Sequence, residues 1–367
     1  MKVLLVGPAG YGLHFLKLLL ANTDPEITFE GIVARKTLPM EEEIKAANVP
    51  VYRSLEAFYE EHTADMAIIC TPSFMHTEQS IYCVEHGTNV LCEKPAAPMV
   101  KDVEAMMEAE KRTGKFIAIG FQMAYAPATL DLKKDILAGV FGKPIAAKSI
   151  MISARKREYF SRGGGYAGQI ATSDGRMLLD SPAANGCAHY VFNTFFLLGD
   201  QMNTSAMPTI LEAECYRAND ISNFDTVTLK MTAAGIPVYY ATSHANKGHS
   251  GYILDLEFEN AVIRHEEKCY VAYFKDGTVK KYGNPLENGI ATKVLACLDH
   301  IRTGTQPVCT ASTAMSHVKM INDLYDNTPV VNFPEEDKIL TEEILYVANL
   351  TERLMEAYEK TCMLSEV

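Results

Sequence analysis

The stretch KVLLVGPAGYG at residues 2–12 sets the narrowest bound on the fold. A short apolar run, Lys2 to Val6, breaks at Gly7 and leads directly into LHFLKLLLAN, whose apolar residues recur at helical spacing. A strand, a glycine turn and a helix N-terminus in immediate succession is the setting of the dinucleotide fingerprint. Glycines let the main chain turn tightly and approach a pyrophosphate, and the helix start offers amides and a positive dipole end. Gly7 and Gly12 take the first and third glycine positions, Ala9 holds the middle one, and Gly10 and Tyr11 complete the turn. These five residues are the first cofactor-binding candidates; the alternative is a plain strand–helix turn.

The pattern repeats. TFEGIVAR, MAIICTP, NVLCEKP and KFIAIGFQ have the length and apolar content of strands, and helical segments separate them. Short strands alternating with helices of about ten residues mark a parallel, doubly wound sheet. Gly87 and Gly114 follow two of these helices as stop signals. After GFQ the texture changes. TVTLKMTAAGIPVYYATSHA, YILDLEFENAVIRHE and CYVAYFKDGTVKKYG are strands joined by turn residues, interrupted by the apolar helix AHYVFNTFFLLG. The segment TEEILYVANLTERLMEAYEK has the spacing of one long amphipathic helix. The chain of 367 residues is too long for a typical single core. We therefore expect an α/β protein of two domains. Residues 1–122 form an N-terminal Rossmann dinucleotide-binding domain. Residues 123–367 form a C-terminal α/β domain with an open, mainly antiparallel sheet and closing helices from about residue 311.

A formal charge of −12 argues against a nucleic-acid partner, which would select a basic face. No apolar run reaches the roughly 18 residues of a membrane span, and the first strand turns too early for a signal peptide. The nine cysteines are scattered, odd in number and contain no C-x-x-C pair, which fits reduced thiols in a cytoplasm better than disulfides or zinc. An exposed sheet face in the second domain would need covering, so a homo-oligomer through that sheet is expected.

The second strand of a dinucleotide site usually ends in an acid that holds the adenosine ribose. Here GIVARK places Ala34 there, then Arg35 and Lys36, cations that suit a 2′-phosphate. The cofactor is thus NAD or NADP, with a lean to NADP; the alternative leaves both side chains as solvated loop cations. The segments CTPSFMH and NVLCEKP end later parallel strands, whose C-terminal ends border the ligand crevice of such sheets. Cys70, Thr71, Pro72, His76, Glu93 and Lys94 are therefore further cofactor candidates. A lysine at the edge of a core is costly unless paired or working, and the bland alternative pairs Lys94 with Glu93. His244, His249 and His265 are taken as structural or solvent-facing.

These motifs, in this order, with GFQMAYAP, LAGVFGKP and LLDSPAANGCAHYVFNTFFLLG after them, resemble the glucose–fructose oxidoreductase, inositol dehydrogenase and MocA-like (Gfo/Idh/MocA) family over nearly the whole chain. The resemblance implies a nucleotide domain, an open-faced second domain and hydride transfer between NAD(P) and a carbinol of a sugar or cyclitol. It also implies that the lysine of EKP, Lys94, works at the reacting oxygen. A histidine on the second-domain helix works with it, and counting back from LLG places that residue at His189. The family often has an aspartate four residues earlier; this chain has Asn185, which neither acts as a base nor raises the basicity of His189 by charge. Asn185 and His189, four apart, are expected on one helix face. Asp180 lies at the start of the same segment as a possible substitute. The expected catalytic set is Lys94, His189 and Asn185, with His189 as acid/base and Lys94 steadying the alkoxide, or the reverse.

ARKREYFSRGGGYAG joins cations, aromatics and three glycines before the catalytic helix. Tyr159, Arg162 and Tyr166 are candidates for gripping a carbohydrate, with Gln122 and Tyr125 as further pocket candidates; the alternative is a surface loop. Within the family, RxYFxRGGGYAG followed by LLDSPAANGCAH resembles members that oxidise glycosides, commonly at glucosyl carbon 3, including those that open plant C-glucosides in gut bacteria. Two other readings stay open: a redox-neutral glycoside-processing enzyme that retains its NAD, and a non-catalytic NAD(P)-binding sensor.

Overall fold

The computed structural model describes residues 1–35, 38–161 and 165–367, which leaves the candidates Lys36 and Arg162 outside the described residues. The chain divides into two compact units, Met1–Tyr125 with Asn288–Met315, and Ala126–Glu287 with Ser316–Val367. The sequence places one boundary near residue 122. The structure differs in returning residues 288–315 to the first unit. A physical reason is visible in α9 (Gly289–Thr303), where Lys293, Val294, Cys297 and Leu298 are buried.

The first unit runs β1 (Lys2–Val6), α1 (Gly12–Leu20), β2 (Thr28–Val33), α2 (Glu41–Ala46), β3 (Val51–Tyr52), α3 (Leu55–Glu61), β4 (Met66–Ile69), α4 (His76–Glu85), β5 (Asn89–Cys92), α5 (Val100–Thr113) and β6 (Ile117–Ile119). Its sheet is parallel, in the order β3-β2-β1-β4-β5-β6. All residues of β4, β5 and β6 are buried, as expected of strands covered on both faces. The strand order reverses between β1 and β4, so the segments after β1, β4 and β5 converge at the switch point where such sheets bind ligands. Gly114 closes α5 in the left-handed region, as its position suggests. The two-residue β3 is too short to leave a pattern in the sequence.

The second unit holds α6 (Pro127–Leu137), β7 (Pro144–Ser153), α7 (Arg157–Ser161), α8 (Ala188–Leu197), β8 (Thr209–Arg217), β9 (Thr226–Ala233), β10 (Ile236–Ser243), β11 (His249–Phe258), β12 (Ala261–Glu266), β13 (Cys269–Phe274) and β14 (Val279–Gly283). After α9 come α10 (Ala311–Asn327), which begins in the first unit, then β15 (Val330–Asn332), β16 (Lys338–Leu340), β17 (Leu345–Val347) and α11 (Leu350–Lys360). The large sheet is ordered β14-β13-β12-β11-β7-β10-β9-β8-β15. It is mainly antiparallel, with parallel pairs at β7–β10 and β8–β15.

The expected long C-terminal helix is a correction. Leu345–Val347 forms a strand paired with Lys338–Leu340, and the helix starts only at Leu350. The outer face of the sheet is less open than the sequence suggests. Leu350, Leu354, Tyr358 and Leu364 pack on Ile150, Ile152, Tyr239 and Ala241, and the Tyr358 hydroxyl donates to Asp255 at 2.9 Å. On the opposite side α8 meets β7, where the Ser149 and Thr194 hydroxyls lie 3.3 Å apart. Among the described residues no helix is long and apolar enough to cross a membrane.

Candidate functional site

The glycine turn of the first unit is fixed by sterics. Gly7 has φ +81°, and a Cβ there would lie 3.0 Å from the Thr71 methyl and 3.1 Å from the Cys70 carbonyl carbon. A Cβ on Gly12 would sit 1.9 Å from the Gly7 carbonyl oxygen, a contact that no side chain survives. Gly10 has φ +59° with open space around it. The amides of Gly12, Leu13 and His14 close on the carbonyls of Ala9, Gly10 and Tyr11 at 3.0–3.3 Å. Ala9, Gly10 and Tyr11 are exposed, and among the described residues their own N–H groups have no partner. A solvent-facing row of amides at the start of a helix fits an anionic pyrophosphate. At the end of β2, Arg35 is exposed and its guanidinium reaches the Met75 sulfur at 3.1 Å. Arg53, which the sequence reading missed, donates to the Ala34 carbonyl at 3.4 Å, so two cations flank the place where NAD sites usually carry an acid.

Behind the turn lies an ion pair that the sequence did not reveal. Glu93 is 6% exposed and its carboxylate is bonded to the ammonium of Lys293 on α9, itself 0% exposed. The Lys293 ammonium also lies 3.4 Å from the Gly120 carbonyl and over the rings of Tyr11 at 5.4 Å and Phe15 at 5.0 Å. Gly120 leaves the space for this, since a Cβ there would lie 2.8 Å from Glu93 Oε1. The carboxylate of Glu93 is therefore committed to Lys293, two hundred residues away in sequence, and to the main-chain N–H of Lys94 at 3.2 Å. Lys94 itself is partly exposed at the end of β5, and the Lys94–Pro95 peptide is cis.

Several candidates sit deeper than expected. His76 is 1% exposed and cannot form the surface of a nicotinamide site. Its ring bridges the carbonyls of Pro95 at 2.9 Å and Thr71 at 2.8 Å, tying the turn after β4 to the turn after β5. Burial pushes this imidazole below its ordinary range, against the pull of the two carbonyls toward the protonated form. Tyr125 is 2% exposed, with its hydroxyl between the carbonyls of Ile119 and Cys309, so it belongs to the core rather than to a pocket wall. Thr71 donates to Gln79 at 2.6 Å, and Pro72 is partly exposed beside it. Burial, then the nearby Glu93, holds the Cys70 thiol well above its usual range, which makes it no nucleophile. Gln122 accepts from the Tyr11 hydroxyl at 3.1 Å, at the edge of the glycine turn.

The second unit brings Asp180, Asn185, Gly168 and Asn223 together. Asn185 is not on the helix that carries His189. It lies in a π turn, Pro182–Gly186, and α8 begins only at Ala188 after Cys187 departs from helical geometry (φ −117°, ψ 13°). The expectation of one shared helix face is thus corrected. Pro182 opens the turn, the Ser181 hydroxyl accepts from Ala184 N–H at 3.1 Å, and Cys187 N–H reaches the Pro182 carbonyl at 2.7 Å. The Asp180 carboxylate accepts from the Asn185 amide at 2.8 Å. His189 is half-buried in the first turn of α8, and burial pushes its neighbour Tyr190 to about 12, so that phenol keeps its proton. The Arg155 guanidinium lies over the Tyr159 ring at 4.9 Å, and Tyr159 meets His244 edge-on at 5.7 Å. His244 in turn lies against Gly186, where a Cβ would be 2.4 Å from its Nε2. Tyr159 thus belongs to a cluster at the π turn, joined by Arg155 and His244, which the sequence reading did not select. Tyr166 is partly exposed in the segment that leads to Gly168.

Comparison with known proteins agrees with this geometry. Residues 1–121 match the model of the oxidoreductase family GFO_IDH_MocA, described by its NAD-binding Rossmann fold. That match spans the first 121 of the chain's 367 residues. The chain is 37% identical to scyllo-inositol 2-dehydrogenase (NAD(+)) of Bacillus subtilis over 84 residues, 23% of this chain and 25% of that one. It is 28% identical to D-glucoside 3-dehydrogenase of Escherichia coli over 99 residues, 27% of this chain and 28% of the other. The chain thus spans about a quarter of the length of the curated relatives it matches. The fold likeness is broader: an oxidoreductase from Agrobacterium radiobacter, solved with NAD+, L-tartaric acid and magnesium, superposes with a TM-score of 0.70. That match covers 89% of this chain and 95% of the other, at 16% identity. Residues 1–121 therefore match the family's NAD-binding Rossmann fold, and the likeness of fold to a solved oxidoreductase extends over most of the chain.

Proposed function

We propose that the protein is an NAD(P)-dependent oxidoreductase that transfers hydride between the nicotinamide and a secondary hydroxyl of a sugar, glycoside or cyclitol. The observation that carries this reading is the turn at Gly7–Gly12, whose sterics admit only glycine at its ends and whose exposed amides suit a pyrophosphate. When bound, the dinucleotide takes or returns the hydride at its nicotinamide ring. The other tasks fall to side chains. His189 accepts the hydroxyl proton, and the Lys94 ammonium steadies the oxygen as its charge grows, with these two roles exchangeable. Glu93 is not a candidate base, because its carboxylate is neutralised by Lys293. Asn185 holds a neighbouring hydroxyl, and Tyr159 and Tyr166 offer ring faces to the carbohydrate. Arg35 and Arg53, with no acid at Ala34, support acceptance of NADP beside NAD.

The finer proposal is oxidation at glucosyl carbon 3, supported by RxYFxRGGGYAG with LLDSPAANGCAH and by the likeness to a D-glucoside 3-dehydrogenase. We also propose residence in a reducing cytoplasm, consistent with nine free cysteines. Self-association falls to parts of the second-unit sheet where apolar side chains stay exposed, such as Leu211 on β8 and Val279 on β14. The test is absorbance of reduced nicotinamide after mixing the protein and NAD or NADP with a panel of sugars, glycosides and cyclitols. A band with one class supports the reading, and the position of the new carbonyl decides carbon 3. Conversion of a glycoside with no band favours a redox-neutral cycle on retained NAD, and cofactor binding without any conversion favours a sensor.

A further inference from the structure

Asp180 is 7% exposed, and each of its polar groups is occupied from a different direction. Oδ1 accepts from the Asn185 side-chain amide at 2.8 Å and Oδ2 from the main-chain N–H of Gly168 at 2.6 Å. Its main-chain N–H donates to the Gln169 carbonyl at 3.0 Å, and its own carbonyl accepts from Asn223 at 3.0 Å. Gly168 is itself immobilised, since at φ +73° a Cβ would lie 2.7 Å from Ile221. One buried carboxylate therefore joins the π turn to the end of the glycine-rich segment. An ionised carboxylate only accepts hydrogen bonds, so it dictates which end of the Asn185 amide faces it. The NH2 end points to Asp180, and the carbonyl end turns the other way.

We propose that Asp180 is a positioning residue for the reaction: it holds Asn185 with its carbonyl oxygen presented as an acceptor for a substrate hydroxyl. This rests on the oxidoreductase reading above. It accounts for an amide at position 185, where the family resemblance implies an acid. The charge is kept, one side chain further back, and the atom offered to substrate is still an oxygen. The consequence is specific to this chain. Asn185→Asp places two carboxylates at the 2.8 Å contact. Like charges at that separation force one of them to bind a proton.

The test is a reciprocal exchange in the full-length protein with bound cofactor. Asp180→Asn and Asn185→Asp are each expected to lower kcat at least tenfold, and Asn185→Asp adds a new limb to the pH–rate profile. The double variant D180N/N185D again pairs one carboxylate with one amide. The amide introduced at position 180 gives its oxygen to Gly168 N–H and its NH2 to the new carboxylate, which keeps an outward acceptor. The double variant is expected to recover most of the lost kcat and to lose the added limb. Single losses that simply multiply in the double variant, or an Asn185→Asp protein faster than the parent, would overturn the proposal. Unfolding midpoints of the four proteins without substrate decide the contact separately: additive shifts refute it. If midpoints couple but the parent turns over no member of the panel, the proposed reaction fails and so does the catalytic role of this pair.

Discussion

At the residue scale the informative side chains are those whose burial changes their chemistry. His76 is the sharpest case. Burial lowers its pKa, so the folded protein binds a proton there less readily than the unfolded chain. Its stabilising contribution is present above the ordinary imidazole pKa of about 6.5 and is lost as pH falls through the lower folded value. We predict that the His76 ring titrates below about 6.5 by NMR, and that His76→Gln flattens the loss of stability on acidification; a titration above that value contradicts the assignment. Lys94 and His189 differ from His76 in being partly exposed, as the substrate contacts proposed for them require. His189→Ala and Lys94→Ala should each lower kcat by about a hundredfold or more, the scale of a lost acid–base or charge-stabilising group. Dissociation constants for the dinucleotide, measured by titration calorimetry, should change little for His189→Ala.

At the element scale, strands and turns make the cofactor side. Gly12→Ala is expected to abolish dinucleotide binding while leaving the second unit folded, because a methyl group cannot share space with the Gly7 carbonyl. The Glu93–Lys293 pair links the strand β5 that presents Lys94 to α9, and it sits against the rings of Tyr11 and Phe15. Removing one partner of a buried pair costs about 3–5 kcal/mol, whereas replacing both by apolar groups is often neutral. Lys293→Met should therefore lower the thermal midpoint markedly and Lys293→Met with Glu93→Leu should restore much of it; equal losses in both would show that an unpaired Glu93 charge is not what destabilises the single variant. These elements also mark what a sequence can disclose. Period and glycine placement expose a parallel strand–turn–helix unit, because both follow from local sterics. Lys293 was invisible, since nothing local in ATKVLACL announces that its lysine faces an acid two hundred positions earlier. The π turn was invisible for a related reason. Residues four apart look like one helix face until Pro182 and Cys187 impose another geometry. Leu345–Val347 has helical spacing but pairs as a strand, a case of partner strands overriding local pattern.

At the scale of the whole chain, the two units divide the chemistry proposed for them: one holds the dinucleotide fold and Lys94, the other His189 and the Asp180–Asn185 pair. The C-terminal helix α11 has a structural task of its own, covering Ile150, Ile152 and Tyr239 on the second-unit sheet. Leu354→Asp, which puts a charge into that buried contact, should expose this apolar face and raise the apparent mass in light scattering or cause aggregation. An unchanged mass and melting point would show that α11 is dispensable. The most direct test of the proposed reaction is isotopic. The protein would be incubated with oxidised dinucleotide and a glucoside deuterated at its ring carbons, and the recovered nicotinamide examined by NMR. Deuterium at carbon 4 of the nicotinamide, with a ketone at the carbon that lost it, is the predicted result. A substrate converted with its label released to water, and no deuterium on the nicotinamide, would contradict hydride transfer.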